Sequence, residues 1–305
     1  MNQTQLREAI LEEKKKQNAV ILAHVYQDHD VQEIADVTGD SFALAKAVQE
    51  IDAETVIMCG VLFMAETVKI LSPHKNVILP EPLAGCPMAE QLKPEEISAF
   101  RKAHPDHLVA AYINTTAELK AVSDICVTSS SAVRILSRLD QKDILFIPDK
   151  NLAAFVQSRL PEKHISVMNG FCPAHNGVTK EDIVSIKKRH PEARVAAHPE
   201  CRSEVLELAD MVGATTEIIR YAEETPGEVI IVTERGVVDA LRKVHGSSRF
   251  IQAVPHQLVC RSMKLTTLDS VYSALRGFGG LRIEMEEDLR LKAKRSIDNM
   301  LEYGK

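Results

Sequence analysis

The sequence predicts an α/β protein made of three similar three-layer αβα units, each built on a parallel sheet. The main observation is a pair of polar residues, at positions i and i+2, that follows each of three short apolar runs. The pairs are His24/Tyr26, Tyr112/Asn114 and His198/Glu200. Because the pairs recur at a nearly constant spacing, 88 and then 86 residues, they indicate an internal repeat.

The polar pairs stand at predicted strand ends. On a strand, side chains at i and i+2 point to the same face of the sheet, and in open α/β sheets ligands bind beyond the carboxyl ends of the strands. The sequence therefore predicts that each unit contributes one wall to a binding site. Units arranged around a pseudo-threefold axis would form one shared pocket, while two sequential domains with separate sites would also satisfy the pattern.

The order of predicted elements after each polar pair is helix, strand, helix, strand. The helices are predicted at 30–48, 116–121 and 203–209, the second strands at 55–59, 124–127 and 210–213, and the third strands at 76–79, 143–147 and 228–232. An acidic residue follows each third strand, at Glu81, Asp149 and Glu234. Continuous Val/Ile/Leu runs are typical of buried parallel strands, which right-handed crossovers connect.

The repeat also predicts the domain bounds. We expect units at 1–87, 88–173 and 174–283, followed by an amphipathic helix at 284–305 that packs back onto the first unit.

Composition excludes several classes of protein. The chain has 305 residues, 26% of them charged, and a net charge of −6 without any block of basic residues interleaved with aromatics, which argues against a nucleic-acid surface. The polar first 17 residues do not fit a signal peptide. The longest apolar run, 56–65, is shorter than the roughly 20 residues of a membrane span. We therefore expect a soluble, cytoplasmic protein.

Six cysteines in such a chain favour metal or redox chemistry over a disulfide framework. Cys86, Cys172 and Cys260 lie in predicted loops, and their spacings of 86 and 88 residues match the repeat. Each unit thus has one loop cysteine at the equivalent position of the repeat, and this pattern predicts a common metal centre.

The other three cysteines have a different setting. Cys59 and Cys126 lie in predicted strands and are interpreted as small buried hydrophobic residues. Cys201 follows the third polar pair at a predicted helix start, where a thiol is either reactive, because the helix N-terminus lowers its pKa, or simply packed.

Three thiolates are one fewer than a closed structural site needs. A [4Fe-4S] cluster on three cysteines leaves one iron open as a Lewis acid, whereas electron-transfer clusters normally have four cysteine ligands. The pattern therefore favours non-redox chemistry such as dehydration. Two alternatives stay open at this point: zinc, with His175 near Cys172 as a further ligand, and a purely structural role.

The polar pairs supply suitable groups for a small polyanionic substrate. His24 and His198 can bind an anion or move a proton, and Tyr26 and Glu200 are candidate proton-transfer groups. Ser129 and Thr215 stand at matching helix starts, where hydroxyl and backbone N–H groups bind anions. The alternatives are ordinary hydrogen-bonded histidines and helix N-caps.

Nine short motifs together are similar to one known family, the quinolinate synthases. The motifs are ILAHVYQ (21–27), GDS (39–41), FMAE (63–66), GCPMA (85–89), YINT (112–115), VTSS (127–130), CPAH (172–175), HPEC (198–201) and CRSMK (260–264). Departures are modest: Val25 and Ser131 replace residues common in relatives, Thr216-Glu217 replaces a pattern that often contains Gly, and the closely spaced C-terminal cysteine pair of some relatives is missing.

The resemblance implies three domains around a [4Fe-4S] cluster held by Cys86, Cys172 and Cys260. It implies condensation of iminoaspartate with dihydroxyacetone phosphate, with loss of phosphate and two waters, to give quinolinate. An aspartate oxidase or dehydrogenase would supply the iminoaspartate.

The resemblance also implies roles for the residues of the polar pairs and their neighbours. The implied substrate-binding residues are His24, Ser41, Tyr112, Asn114, Ser129, His198, Glu200 and Thr215, and the implied catalytic residues are Tyr26, His198 and Glu200. His175 matches a family position near the cluster.

Three functions are compared on this basis. The first is an enzyme with an open cluster iron, the second a non-catalytic iron–sulfur or small-acid sensor, and the third a zinc hydrolase. The sequence favours the enzyme, because a sensor has no need of Tyr26 and Glu200 beside anion-binding hydroxyls, and no clear zinc-hydrolase motif is present.

Overall fold

Three sheets organise the chain in a computed structural model that describes all 305 residues. The prediction of an α/β fold with parallel sheets is confirmed. The elements of the first sheet and its helices are α1 (Gln3–Lys16), β1 (Ala19–His24), α2 (His29–Ile34), β2 (Val37–Gly39), α3 (Ser41–Glu50), β3 (Thr55–Cys59), α4 (Leu62–Leu71) and β4 (Asn76–Leu79).

The second and third sheets repeat this order of elements. The second set is α5 (Pro94–Ala103), β5 (Leu108–Tyr112), α6 (Ala117–Ala121), β6 (Ile125–Val127), α7 (Ala132–Ser137), β7 (Asp143–Ile147), α8 (Lys150–Arg159) and β8 (His164–Val167). The third set is α9 (Pro173–Asn176), α10 (Lys180–Arg189), β9 (Arg194–Ala197), α11 (Ser203–Leu206), β10 (Met211–Val212), α12 (Thr215–Glu224), β11 (Val229–Val232), α13 (Arg235–His245) and β12 (Phe250–Gln252).

The three sheets also share one strand order. The orders are β4-β3-β1-β2, β8-β7-β5-β6 and β12-β11-β9-β10, and all of these pairs are parallel. The chain ends with a 3-10 turn (Met263–Leu265), α14 (Leu268–Leu275), β13 (Leu281–Arg282) and α15 (Glu287–Tyr303). The short β13 adds an antiparallel edge to β4.

One predicted helix is wrong. Residues 30–48 do not form a single helix, because β2 separates α2 from α3. The helix ends where Asp36 binds the backbone of Ile21 twice: its N–H donates to the Ile21 carbonyl and its carboxylate accepts the Ile21 N–H, both at 2.8 Å. Consequently 55–59 is the third strand of the first sheet and 76–79 is a fourth strand. Glu81 therefore does not correspond to Asp149 and Glu234, which follow third strands.

The carboxylate contact of Asp36 recurs in every repeat. Each time an aspartate accepts, at 2.8 Å, the N–H of a first-strand residue 15 positions earlier; the pairs are Asp36/Ile21, Asp124/Val109 and Asp210/Val195. Each aspartate also forms an ion pair, with Lys14, Arg101 and Arg194 respectively. Hydrogen bonds to a charged group contribute more than neutral ones. The same polar contact thus fixes the second strand to the first in all three sheets.

The chain divides into two compact units. The first consists of 1–86 and 260–294, and the second consists of 87–259 and 295–305. In the first unit, Leu6, Ile10 and Val271 pack in one core with residues of β1 and β3. In the second unit, a comparable core around the third sheet includes Val195 and Ile230.

This division into two units does not test the predicted bounds of the three repeats, which stay a prediction. Residues 260–282 lie with the first sheet, through β13. The early part of α15 belongs to the first unit, where Arg290 donates to the Ile70 carbonyl at 3.0 Å. Its last part belongs to the second unit, where Ser296 donates to the Lys120 carbonyl at 3.0 Å. None of the helices is both long and apolar enough to cross a membrane.

Candidate active site

The strand ends of the second unit bring four of the predicted site residues together. Tyr112 is the last residue of β5, His198 and Glu200 follow β9, and Cys172 precedes the short helix α9. The first sequence-based expectation, that polar pairs stand at the ends of equivalent strands, is met by β1, β5 and β9. The centre of the arrangement is the carboxylate of Glu200, of which only 4% is exposed.

Glu200 accepts hydrogen bonds on both oxygens. Its Oε1 accepts from the Tyr112 phenol at 2.7 Å, and its Oε2 lies 2.9 Å from His175 Nδ1. Burial by itself raises the pKa of the Glu200 carboxyl, but His198, His175 and the hydrogen bond from Tyr112 outweigh this effect and lower the pKa well below its ordinary value. The site therefore holds an ionised carboxylate at neutral pH, beside two groups that can exchange protons with it.

His175 links this carboxylate to two further side chains. Its Nδ1 also lies 3.3 Å from Cys172 Sγ, and its Nε2 lies 3.0 Å from the hydroxyl oxygen of Thr233. The ring is only 2% exposed and lies 4.8 Å, between centroids, from the ring of His198. Because both nitrogens have close polar neighbours, the orientation of the His175 ring is fixed.

The i, i+2 spacing of the polar pairs has a direct structural meaning for the two histidines. The Glu200 N–H donates to His198 Nδ1 at 3.3 Å, and in the first unit the Tyr26 N–H donates to His24 Nδ1 at 3.1 Å. A neutral ring that accepts at Nδ1 carries its proton on Nε2. In its neutral form, each of the two histidines is thus held with its ring donor at Nε2, where an anionic ligand can accept from it.

Asp149 is a second buried carboxyl, and its importance exceeds the sequence-based interpretation. It follows β7, is fully buried, and accepts the N–H of Leu152 at 2.7 Å and that of Cys172 at 3.1 Å. Burial, followed by the nearby charge of Glu200, raises the pKa of Asp149 to about 8. Asp149 therefore does not face solvent; it positions the backbone of Cys172.

Further support comes from residues that no sequence pattern identified. Asn151 donates to the Glu200 carbonyl at 2.9 Å and to Asn176 at 3.0 Å. Gly170 lies so close to Pro148 that a Cβ there would be 2.3 Å from the Pro148 carbonyl oxygen. These contacts set the paths of the loops that carry Glu200 and Cys172. In the sequence, the only indication of this role is that Asn151 comes shortly after a predicted strand.

Ser41, Ser129 and Thr215, the hydroxyl residues predicted to bind substrate, are not the N-caps of the helices near them. Asp40 caps α3 by accepting from Phe42 and Ala43, so Ser41 is not needed for that role. Ser131 and Ala214, not Ser129 and Thr215, occupy the N-cap positions of α7 and α12. Ser41, Ser129 and Thr215 recur at spacings of 88 and 86 residues. They therefore form a third repeated set, although only Ser129 and Thr215 were expected to match each other.

Asn114 has a feature of a ligand-binding residue. Its Oδ1 is buried and has no hydrogen-bond partner in the protein. A buried polar atom without a partner is costly, and a ligand that donates a hydrogen bond would remove that cost. The hydroxyl oxygen of the neighbouring Thr115 is also buried without a hydrogen-bond partner in the protein.

The six cysteines fall into the two groups that the repeat distinguishes. Cys59, Cys126 and Cys201 are buried, and burial raises the pKa of each of these thiols. For Cys201 this favours packing over reactivity. Cys86, Cys172 and Cys260 are half-buried, and no cysteine forms a disulfide. Half-buried thiols are accessible enough to bind a metal, whereas the three deeply buried thiols are not.

One group of side chains could hold a metal ion. One ligand atom each of Cys172, His175 and Glu200 lies within 4.8 Å of the other two. Sulfur, imidazole nitrogen and carboxylate oxygen are all ordinary ligands of transition metals.

Comparison with known proteins gives one consistent result. Residues 8–302 match the model of the family described as Quinolinate synthetase A protein. The chain is 45% identical to the quinolinate synthase of Caldicellulosiruptor bescii over 305 residues, the full length of both chains. It is 43% identical to that of Clostridium perfringens strain SM101 over 98% of this chain and 99% of the relative, and 45% identical to that of Thermodesulfovibrio yellowstonii over 96% and 97%.

Proposed function

This chain belongs to the quinolinate synthetase A family, and we propose that it condenses iminoaspartate with dihydroxyacetone phosphate to form quinolinate. Phosphate and two water molecules leave, so the reaction balances without an oxidant or reductant. The observation that carries the proposal is the buried Tyr112–Glu200–His175 network, which holds an ionised carboxylate between two proton donors. Such a network suits the several proton transfers that two dehydrations and a ring closure need.

The proposed cofactor is a [4Fe-4S] cluster with Cys86, Cys172 and Cys260 as its ligands. When bound, it would supply an open iron that acts as a Lewis acid in the loss of water. The half-burial of these three thiols and the deep burial of the other three support this ligand set. The carboxyl group of Asp149, which accepts the Cys172 N–H at 3.1 Å, would hold one ligand in place.

The residues of the chain have distinct proposed roles. Glu200 accepts protons from carbon, and Tyr112, through its 2.7 Å hydrogen bond, stabilises the charge of that carboxylate between transfers. Tyr26 is proposed as a second acid–base group. His198 donates from Nε2 to an anionic group of the substrate.

The remaining substrate-binding assignments follow the repeated sets. His24 donates from Nε2 in the same way as His198, and Asn114 accepts through its buried Oδ1. The hydroxyls of Ser41, Ser129 and Thr215 are proposed to bind carboxylate and phosphate oxygens at helix starts.

The proposal also concerns how the three sheets are arranged, where the enzyme acts in the cell and what supplies its iminoaspartate. We propose that the three sheets surround a pseudo-threefold axis, as the shared strand order suggests. A cytoplasmic setting suits three thiols that must stay reduced to bind iron. Iminoaspartate would come from an enzyme that oxidises aspartate, an oxidase or a dehydrogenase.

The alternative of a non-catalytic sensor is less favoured, because a binder gains nothing from a buried carboxylate between a phenol and an imidazole. The test is to reconstitute the protein without oxygen, add iminoaspartate and dihydroxyacetone phosphate, and measure quinolinate. The proposal expects quinolinate from the wild type and a loss of at least about 100-fold in Glu200→Gln. Binding of both substrates without any product would contradict it in favour of the sensor.

A further inference from the structure

We propose that the cluster-free protein has a mononuclear site for a zinc-class divalent cation, formed by Cys172 Sγ, His175 Nδ1 and Glu200 Oε2. All three ligands belong to the second compact unit of the chain. The site is distinct from the proposed cluster site, with which it shares only Cys172. The claim that zinc and the [4Fe-4S] cluster cannot bind at the same time rests on the proposed function. The zinc site itself does not rest on it.

The distances between the ligand atoms are close to those of a zinc site. His175 Nδ1 lies 3.3 Å from Cys172 Sγ and 2.9 Å from Glu200 Oε2. In tetrahedral zinc sites, with bonds of about 2.3 Å to sulfur and about 2.0 Å to nitrogen or oxygen, these pairs are about 3.5 Å and about 3.3 Å apart. These two pairs need to separate by only a few tenths of an ångström to admit the ion. Cys172 Sγ and the Glu200 carboxylate, which lie within 4.8 Å of each other, would settle at about 3.5 Å.

The charges of the ligands match those of the ion. A Cys172 thiolate and the Glu200 carboxylate together balance one divalent cation, so the bound site is neutral. A neutral set matters here because His175 and Glu200 are only 2% and 4% exposed, and burying a net charge is costly. Zinc would occupy the Nδ1 position that His175 now directs at Glu200, and the neutral ring would keep its proton on Nε2. Binding would therefore release the proton of the thiol.

The surrounding contacts already hold each ligand as outer groups do in metal sites. The second nitrogen of His175 lies 3.0 Å from the Thr233 hydroxyl oxygen, which can accept the Nε2 proton once Nδ1 binds metal. Asp149 accepts the Cys172 N–H, and Asn151 donates to the Glu200 carbonyl. The ion can enter beside Cys172, which is half-buried. Three protein ligands leave a fourth position open for water.

Zinc and the cluster must compete because both require the thiolate of Cys172. A protein that has lost its cluster, or has not yet received it, would bind zinc and be unable to accept iron. Zinc bound there would also remove the Glu200 carboxylate from proton transfer.

The test measures zinc binding by the full-length, cluster-free protein against a chromophoric chelator, without oxygen. We expect one zinc per chain in the wild type, and affinity at least about 100-fold weaker in His175→Ala and Glu200→Gln. Thr233→Val should weaken binding by about 10- to 100-fold, the usual effect of removing an outer contact, and Thr233→Ser should restore it. Cobalt in place of zinc should give a sulfur-to-cobalt absorption band that Cys172→Ala removes.

Matched controls separate this site from the cluster ligands. Cys86→Ala should keep one zinc per chain, and so should His256→Ala, which alters an exposed histidine elsewhere. Circular dichroism identifies any variant that does not fold. The inference is overturned if wild type binds no zinc, or if Cys86→Ala and Cys260→Ala lose zinc while His175→Ala keeps it. If zinc binds as expected but no cluster can be reconstituted in any preparation, the proposed cofactor fails and the zinc site stands.

Discussion

The Tyr112 phenol donates a hydrogen bond of 2.7 Å to Oε1 of Glu200, although the two residues lie 88 positions apart and follow strands of different sheets. This contact joins the second member of one polar pair to the first member of another. Two residues that the sequence repeat places in different units therefore meet at one buried carboxylate. The strength of this hydrogen bond comes from the charge of the carboxylate, because a hydrogen bond to an ionised group is about twice as strong as one between neutral groups.

Replacing Tyr112 by Phe should remove this hydrogen bond and keep the ring. Without the Tyr112 hydroxyl, the Glu200 carboxylate loses a partner that holds its orientation and can exchange a proton with it, and we expect kcat to fall by about 10²- to 10⁴-fold. The melting temperature should change little, because the volume of the side chain is preserved. Tyr303→Phe, which alters a largely exposed ring, is the matched control and should retain full activity. An active Tyr112→Phe enzyme would remove Tyr112 from the proposed mechanism.

Cysteine variants should separate ligands from packed residues. Cys172→Ala is expected to lose iron, sulfide and activity together, because it removes a proposed ligand. Cys126→Ala should keep the cluster and lose about 1 kcal/mol of stability through a small cavity, since that thiol is fully buried. The iron and sulfide content per chain, measured after reconstitution without oxygen, shows which variant has lost the cluster. Loss of the cluster from Cys126→Ala would show that the ligand assignment is wrong.

Gly170→Ala should disturb the loop that carries Cys172. Its Cβ would lie 2.3 Å from the Pro148 carbonyl oxygen, a distance that only a backbone shift can relieve. We expect a loss of stability of about 1–3 kcal/mol, together with lower iron content. Gly279→Ala is a milder control, because its Cβ would meet only Ser273 Cβ, at 3.3 Å. Unfolding by urea and iron content of both variants should be compared; equal behaviour would contradict the prediction.

The aspartate contacts between strands should make stability depend on pH. Burial raises the pKa of Asp210, but the Val195 N–H and Arg194 lower it, and the net shift is downward. A carboxyl with a lowered pKa stabilises the fold above its ordinary pKa of 3.8, and this contribution disappears as pH falls through the folded-state pKa.

Asp210→Asn tests this dependence. The amide oxygen can still accept the Val195 N–H, so the variant removes mainly the charge. It should be slightly less stable than the wild type at pH 7, and the difference should disappear as pH falls below 3.8 and through the folded-state pKa of Asp210. Asp239→Asn, whose 3.4 Å ion pair with Arg235 is exposed, should show a smaller effect. A difference between wild type and Asp210→Asn that grows on acidification would contradict the argument.

The sequence predicted the fold class and the strand ends because the repeat preserves both apolar runs and polar pairs. It failed at residues 30–48, where the short strand β2 has only three residues and its flanking helices share an apolar pattern. The signal for that strand was available in Asp36, which has the same offset as Asp124 and Asp210. A three-residue strand depends on a polar contact that hydrophobic periodicity does not reveal.

The candidate site was predicted only in part for a related reason. Tyr112, His198 and Glu200 belong to the repeated pairs, and the structure brings them together in one unit with Cys172. Thr233 and Asn151 act through contacts with partners 58 and 49 positions away. Such contacts have no local sequence pattern, and only the fold shows them.

The most direct test of the proposed function is a parallel time course of phosphate and quinolinate with the reconstituted protein and both substrates. We expect the two products to appear in a one-to-one ratio in the wild type, and we expect Glu200→Gln to form quinolinate at least about 100-fold more slowly. Phosphate release without quinolinate, or quinolinate formation that Glu200→Gln leaves unchanged, would contradict the proposed function.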